Sequence, residues 1–407
     1  MTTQKSIILR VFEHQRLRIG ELAGNTEFTR EMWAHLRYLL TQQSRPFYKI
    51  EPEGVVFGSY VGAIQTPAGL VEIWPKTDET TTPGWQPFLL ELLADCGFLP
   101  TYAAGLGRLR TGSSPLMTAL LSYFIDEVEN WLGRGPSRRY VAMEQTAGVW
   151  KGQILWREQI KNQLTRAHEF RTLSQVYSPD NLPNQMVKLA LYYAADMLPS
   201  GAIKTRATGM LGYLPDCAAL HPRQINWGQL SWPAIDPADE MLIGLSKAII
   251  QGYAGGISAG RAPAMALLFD MNRLFETFVY RQLAGSGLPE LSVSRQPGRN
   301  FWLDRTLIPD LLVQYQGKKW ILDTKWKILS QAKPSMDDLR QLYVYLHYFQ
   351  AERGVLLYPR SGNLKDISPT PFADGKTYAQ VCFIDIIENG RLARNIGKKL
   401  LEKISTG

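Results

Sequence analysis

Cysteine is scarce: Cys96, Cys217 and Cys382 are the only three in 407 residues, and no two form a CxxC pair. That excludes a disulfide framework and a cysteine zinc site, and it fits a reducing compartment. Histidine is also sparse. His14, His35, His168, His221 and His347 make no HxH or HExxH pair, so no histidine metal centre is expected. No GxxxxGK[ST] loop occurs, and the glycine-rich 252–261 (GYAGGISAGR) lacks its lysine, so the chain is not expected to bind nucleotide as a P-loop NTPase. The isolated Ser-x-Gly and GRxP fragments support no hydrolase elbow, and no internal repeat or low-complexity tract appears. Nor does any run reach the ~20 apolar residues of a membrane span. The longest, Phe88 to Leu99, is broken by Glu91 and Asp95, and MTTQKSIILRVFEHQ lacks the features of a signal peptide. The expectation is a cytoplasmic protein without a membrane segment.

What is present is a basic balance, net charge +8 with pI about 9.2, which favours a polyanionic partner. A hydrophobic fraction of 45% can fill real cores, and 407 residues exceed what one core holds. The expected class is α+β and multidomain. Residues 1–110 form a small β-rich domain with one helix (28–42); 111–260 are mainly helical, with helices at 155–174 and 183–198; 261–407 form a mixed sheet flanked by helices. In that last part the pattern predicts helix over 262–284, strands at 290–296 and 300–304, a hairpin at 307–327, helix at 336–351 and strand at 354–359. Trp131, Trp150, Trp156 and Trp227 lie among apolar residues and are expected in cores.

The chemistry concentrates in the hairpin. Leu307 to Tyr315 and Lys318 to Trp326 flank Gln316-Gly317, and a two-residue loop with Gly second suits a type I′ turn. Opposite residues then have numbers summing to 633, which sets Asp310 against Asp323 on one side of the sheet, Cβ atoms about 4.5–5.5 Å apart. Alternation adds Lys325 and Lys327 to that side. Two facing carboxylates repel, and a bound divalent cation removes the cost. Mg²⁺ takes oxygen ligands, keeps several waters and needs only one or two carboxylates. A neighbouring lysine orients the attacking water and offsets phosphate charge. The bland alternative is an exposed hairpin face that happens to be charged.

Two flanking helices extend the set. In 267–283 Glu276 borders an apolar stripe through Phe275, within reach of the metal position. After the hairpin, Gln341 and Tyr345 are four apart and share a helix face, where an amide and a phenol position a phosphate or hold the lysine.

These residues resemble a known family. FDMNRLFETFVY (269–280), Pro309-Asp310, DTKWK (323–327) and Gln341-x-x-x-Tyr345 resemble McrC, the nuclease subunit of the McrBC type IV restriction system, a PD-(D/E)xK enzyme. VGAIQTPAGLVEIWPKTD (61–78), WKGQIL (150–155) and SPDNLPNQMVKLAL (178–191, with Asn184 before a helix) are weaker upstream likenesses. Thr324 and Trp326 replace the family's usual Ala and Tyr, neither of them a chemical group in that pattern. The chain is somewhat longer than expected for the family, with the excess near 200–240.

The resemblance implies a restriction-endonuclease-like C-terminal domain cutting DNA that bears modified cytosines. In it Asp310, Asp323 and the Thr324 carbonyl hold Mg²⁺, Glu276 assists at the metal, and Lys325 is the catalytic lysine. Gln341 and Tyr345 support the site, and Arg273 and Lys327 contact DNA. It also implies a partner, an McrB-like GTP-hydrolysing AAA+ hexameric ring, docked through residues 1–110. Two alternatives stay open: a free-standing repair or defence nuclease with the same core, and a non-catalytic scaffold that stimulates a partner's GTPase.

Overall fold

Ala264–Asp270 (AMALLFD) is a strand, where the sequence pattern predicted the start of a helix. A short wholly apolar run carries no period that separates a buried strand from a buried helix, and here tertiary pairing decides. The computed structural model describes residues 7–42, 47–76, 85–96, 116–163, 166, 168–198, 200–222, 225, 227, 239–254, 264–329, 331–360, 362–388 and 391–405. Most of the glycine-rich 252–261, much of 223–238 and the last two residues of 61–78 lie outside the described residues.

Contacts divide the chain into two units. Met1–Met117 joins Ala266–Gly407 in the first, and Thr118–Met265 forms the second. The sequence was divided into three consecutive segments; the structure merges the first with most of the third.

The reason lies in one sheet of the first unit. Among its five strands are β1 (Ile8–Phe12), β2 (Tyr60–Thr66), β3 (Gly69–Trp74) and β4 (Ala264–Asp270), adjacent in the order β1-β3-β2-β4. β1 runs parallel to β3, and β2 antiparallel to it. At Gly62 (φ +138°) a Cβ would stand 2.1 Å from the Leu267 carbonyl oxygen, so only glycine lets β2 approach β4 this closely. The helix Arg30–Gln42 buries Met32, Leu36 and Leu39 in this half of the unit.

β4 runs straight into α1 (Met271–Ala284), capped by Asp270, whose carboxylate accepts the Asn272 N–H. α1 leads to a six-stranded mixed sheet. Its strands are β5 (Ser292–Arg295), β6 (Leu311–Tyr315), β7 (Lys318–Thr324), β8 (Arg353–Pro359), β9 (Ile367–Pro371) and β10 (Tyr378–Ile384), in the order β5-β6-β7-β8-β10-β9. The chain crosses from β7 to parallel β8 through α2 (Met336–Phe349). Ile321, Leu356, Tyr358 and Phe383 meet Leu342, Leu346 and Phe349 of α2. Their strand neighbours Leu322, Val355, Leu357 and Cys382 are equally buried and point the other way. On that other side lie α1 and α3 (Ile396–Ser405). Burial on both faces explains the unbroken apolar run of β8.

The second unit is less helical than the sequence suggested. A three-stranded antiparallel sheet, in the order 153–154, 170–178, 139–147, lies within the segment expected to be mainly helical and takes the end of the helix expected at 155–174. These strands alternate in sequence yet stay widely exposed, so no strong apolar signal marks them. Trp131 is buried as expected, but Trp150 and Trp156 are exposed and Trp227 is only partly covered. The helix Leu182–Met197 begins one cap earlier than expected. Asn181 is the N-cap, while Asn184 sits inside the first turn and donates to the Ser137 and Pro179 carbonyls.

Candidate active site

The hairpin is the sequence-predicted one. Leu311 pairs with Leu322 and Tyr315 with Lys318, every partner sum being 633. Gln316 (φ 49°) and Gly317 (φ 73°) are both left-handed, the signature of a type I′ turn. Continuing the register by one pair sets Asp310 across from Asp323. The Thr324 N–H and hydroxyl both donate to Asp310 Oδ2 at 2.7 Å. Thr324 was expected to have no side-chain role at the site; it fixes the first carboxylate and leaves Oδ1 as the oxygen it does not hold.

Asp323 is 1% exposed. Its Oδ2 has the Lys325 ammonium 2.7 Å away, yet no well-directed hydrogen bond among the described residues. Burial, and then the charge of Asp310, push its carboxyl up to about 6. Burial alone would lower the Lys325 ammonium, but the adjoining Asp323 carboxylate outweighs it and the net shift is upward.

α2 holds this lysine. Lys325 Nζ donates to Gln341 Oε1 (3.0 Å), Gln341 Nε2 to Tyr345 Oη (3.0 Å), and Tyr345 Oη to the Ile308 carbonyl (3.0 Å). The relay starts at the lysine and ends two residues before Asp310. Of the two roles the sequence left open for Gln341 and Tyr345, the structure shows them holding the lysine. Asp338 was missed. Buried in the first turn of α2, it lies 3.6 Å from Lys325 and 3.3 Å from Lys327. Burial would raise its carboxyl, but Ser335 and the two lysines hold it below its usual range. An acidic residue after a Ser cap reads as an ordinary helix start, which concealed it. Lys327, expected at a DNA phosphate, is half-exposed and paired with Asp338.

Glu276 is buried, but its oxygens are engaged by Arg295 Nε (2.9 Å) and Gln296 Nε2 (3.2 Å). Burial raises its carboxyl, with the Asp310 charge adding to the effect against Arg295. Arg295 and Gln296 were also missed, because nothing local in Ser-Arg-Gln-Pro announces a partner 20 residues earlier. Arg273 is exposed on the first turn of α1, with no ion pair among the described residues. Trp326, the other family departure, donates its indole N–H to Glu13 Oε1 at 2.6 Å and packs edge-on against Phe275.

The residues present suit a hard divalent cation. No three His, Cys, Asp or Glu side chains converge as a ready cage among the described residues. Two carboxylates with a buried, undirected oxygen are nevertheless the donor set that Mg²⁺ uses alongside water.

The chain matches the family model for the McrBC 5-methylcytosine restriction system component over residues 55–359. The chain belongs to this family. Among solved structures it is similar to one described as the refined half-complex from a tetradecameric assembly of Thermococcus gammatolerans McrB AAA+ hexamers with bound McrC. Identity is 18% and the TM-score 0.61, over 98% of this chain and 99% of that one. A cryo-EM structure of the McrBC complex of the same organism aligns at 17% identity and TM-score 0.46, over 69% of this chain and 88% of that one. No curated protein matches. The first alignment establishes a common fold for this McrBC-family chain.

Proposed function

We propose that the chain is the DNA-cutting subunit of a modification-dependent restriction complex, hydrolysing phosphodiester bonds with Mg²⁺ held by Asp310, Asp323 and the Thr324 carbonyl. The observation that carries this reading is Asp310 and Asp323 at the end of one hairpin, with Lys325 against Asp323. Bound Mg²⁺ supplies Lewis-acid stabilisation of the phosphoryl oxygen and a more acidic water. Lys325, steadied by Gln341, offsets charge on the phosphate and orients the attacking water. Glu276 acts through Arg295 and Gln296, keeping the Asp310 end of the hairpin in place; its assistance at the metal is an extension of that role. Lys327 and Arg273 face the phosphate backbone.

The partner in this reading is a GTP-hydrolysing AAA+ ring, as the family's system name and the McrB hexamers of the similar assembly suggest. The ring docks on residues 1–110 in this reading, and the second unit offers a further apolar surface. Tyr140, Val149, Trp150, Trp156, Ile160 and Tyr177 are all more than half exposed there, as are Ile7 and Leu22 within residues 1–110. Exposed apolar clusters of this kind mark protein interfaces.

The test is cleavage of cytosine-methylated duplex by the chain with such a ring, GTP and Mg²⁺. Asp310→Ala should lower the rate by about 10³-fold, the scale of losing a transition-state stabiliser, while GTPase stimulation persists. Undiminished cutting overturns the nuclease reading and leaves a scaffold; cutting without any ring makes it a free-standing nuclease. Tyr345→Phe should slow turnover by about tenfold at unchanged KM, the lower range for loss of a supporting hydrogen bond at a metal site.

A further inference from the structure

A hairpin beside the site serves no part of the chemistry above. Arg299–Trp302 pairs with Arg305–Leu307, and its tip carries Trp302, 65% exposed, and Leu303, 72% exposed. Large apolar side chains at a loop tip cost solubility and add nothing to a core. Leu303 is left-handed (φ 48°), a conformation disfavoured for a bulky residue and one that tends to persist where function requires it.

The hairpin is fixed at its base. Arg299 lies 5.0 Å over the Phe349 ring, Phe301 packs edge-on against Tyr348, and Tyr348 Oη donates to the Asn300 carbonyl. Both legs are rooted in the candidate active site. On one side Gln296 donates its N–H to the Asp310 carbonyl at 2.8 Å and its amide to Glu276. On the other, the Ile308 carbonyl accepts from Tyr345, two residues before Asp310. A rigid arm with an apolar tip and arginines at 299 and 305 therefore grows from the residues that hold the carboxylates.

We propose that this arm is a DNA wedge: Trp302 and Leu303 enter the stack of a duplex while Arg299 and Arg305 meet its phosphates. The inference rests on the nuclease reading for its ligand. Apolar wedges flanked by basic side chains unstack base steps in this way, and an indole gains stacking energy from any base. Leu303 and Asp310 are seven residues apart, so the tip lies within about 25 Å of Asp310 even at full extension. One turn of B-DNA is ~34 Å. The wedge and the cut thus fall within a single helical turn, and bending the duplex there widens the approach to the scissile phosphate.

The test uses the full chain with duplex DNA containing aminopurine, whose fluorescence rises on unstacking. Ca²⁺ replaces Mg²⁺ for binding, and cleavage is measured separately in Mg²⁺ with ring and GTP. The wild-type chain should raise the fluorescence. Trp302→Ala with Leu303→Ala should abolish the rise and weaken binding by about tenfold, a typical loss for one stacking side chain. Trp302→Phe should keep most of it. Because both side chains are exposed, an unchanged melting temperature certifies the double variant's fold. An unaltered signal and affinity in the double variant overturns the wedge, whatever the cleavage result, as does a wild-type chain that binds duplex without any rise or fails to bind it at low salt. A rise that the double variant loses, seen with a wild-type chain that cuts nothing, upholds the wedge and overturns the nuclease reading alone.

Discussion

Asp323→Asn is expected to abolish Mg²⁺-dependent cleavage, by about 10³-fold or more in kcat, roughly 4 kcal/mol of barrier. The substitution keeps the size of a side chain that is 1% exposed, so packing is preserved. It removes the charge that the cation and Lys325 both need. Lys325 retains Gln341 at 3.0 Å and Asp338 at 3.6 Å, so the ammonium is not set adrift. A second readout separates chemistry from folding. In the wild type, Mg²⁺ relieves the repulsion between Asp310 and Asp323 and should raise the unfolding free energy, by about 2.7 kcal/mol at a hundredfold excess over Kd. Asp323→Asn should lose most of that rise while unfolding normally without metal. A variant that still cuts, or one still stabilised by Mg²⁺ to the wild-type extent, would remove Asp323 from the metal.

Glu13→Gln should stabilise the protein at pH 8 and leave it nearly unchanged at pH 4. Glu13 is 1% exposed; its Oε1 accepts the Trp326 indole N–H at 2.6 Å and the Lys76 N–H at 2.7 Å, and its Oε2 has no hydrogen bond among the described residues. Burial, the largest cause, lifts its carboxyl to about 7 from an ordinary 4.5, against those two donors and with help from the Asp270 charge. With the folded value raised, the folded state holds its proton longer than the unfolded chain does. Stability is therefore full below about 4.5, falls as pH rises, and levels off above about 7. The drop is about 3 kcal/mol at most. Glutamine keeps the acceptor for Trp326 and cannot ionise, so denaturant unfolding at the two pH values should show the gain only at the higher one. An equal change at both would mean that Glu13 is not charged at a cost.

How much of this was legible follows from where the information sits. The register, the turn and the Asp310–Asp323–Lys325 face are local to 18 residues, and a period of two with a Gln-Gly loop specifies them. Gln341 and Tyr345 were legible as a helix pair, because four-residue spacing needs no tertiary knowledge. Arg295, Gln296 and Asp338 were not, since their partners lie on other elements and each is ordinary in its own. AMALLFD was misread because apolar residues without a period fit either element. The sheet of the second unit escaped because its strands bury little, and β9, β10 and α3 were left unread beyond residue 360. Trp150 and Trp156 misled for the opposite reason: a tryptophan among apolar neighbours suggests a core, and here they form a surface.

The pairing of β2 with β4 has a consequence for synthesis. About 200 residues separate Thr66 from Ala264. At roughly 5–20 residues per second, the edge of β2 waits about 10–40 s on the ribosome before its partner emerges. For that interval an open strand edge is exposed to any passing chain. The order of translation therefore makes completion of the first unit a late event, with the whole second unit already made.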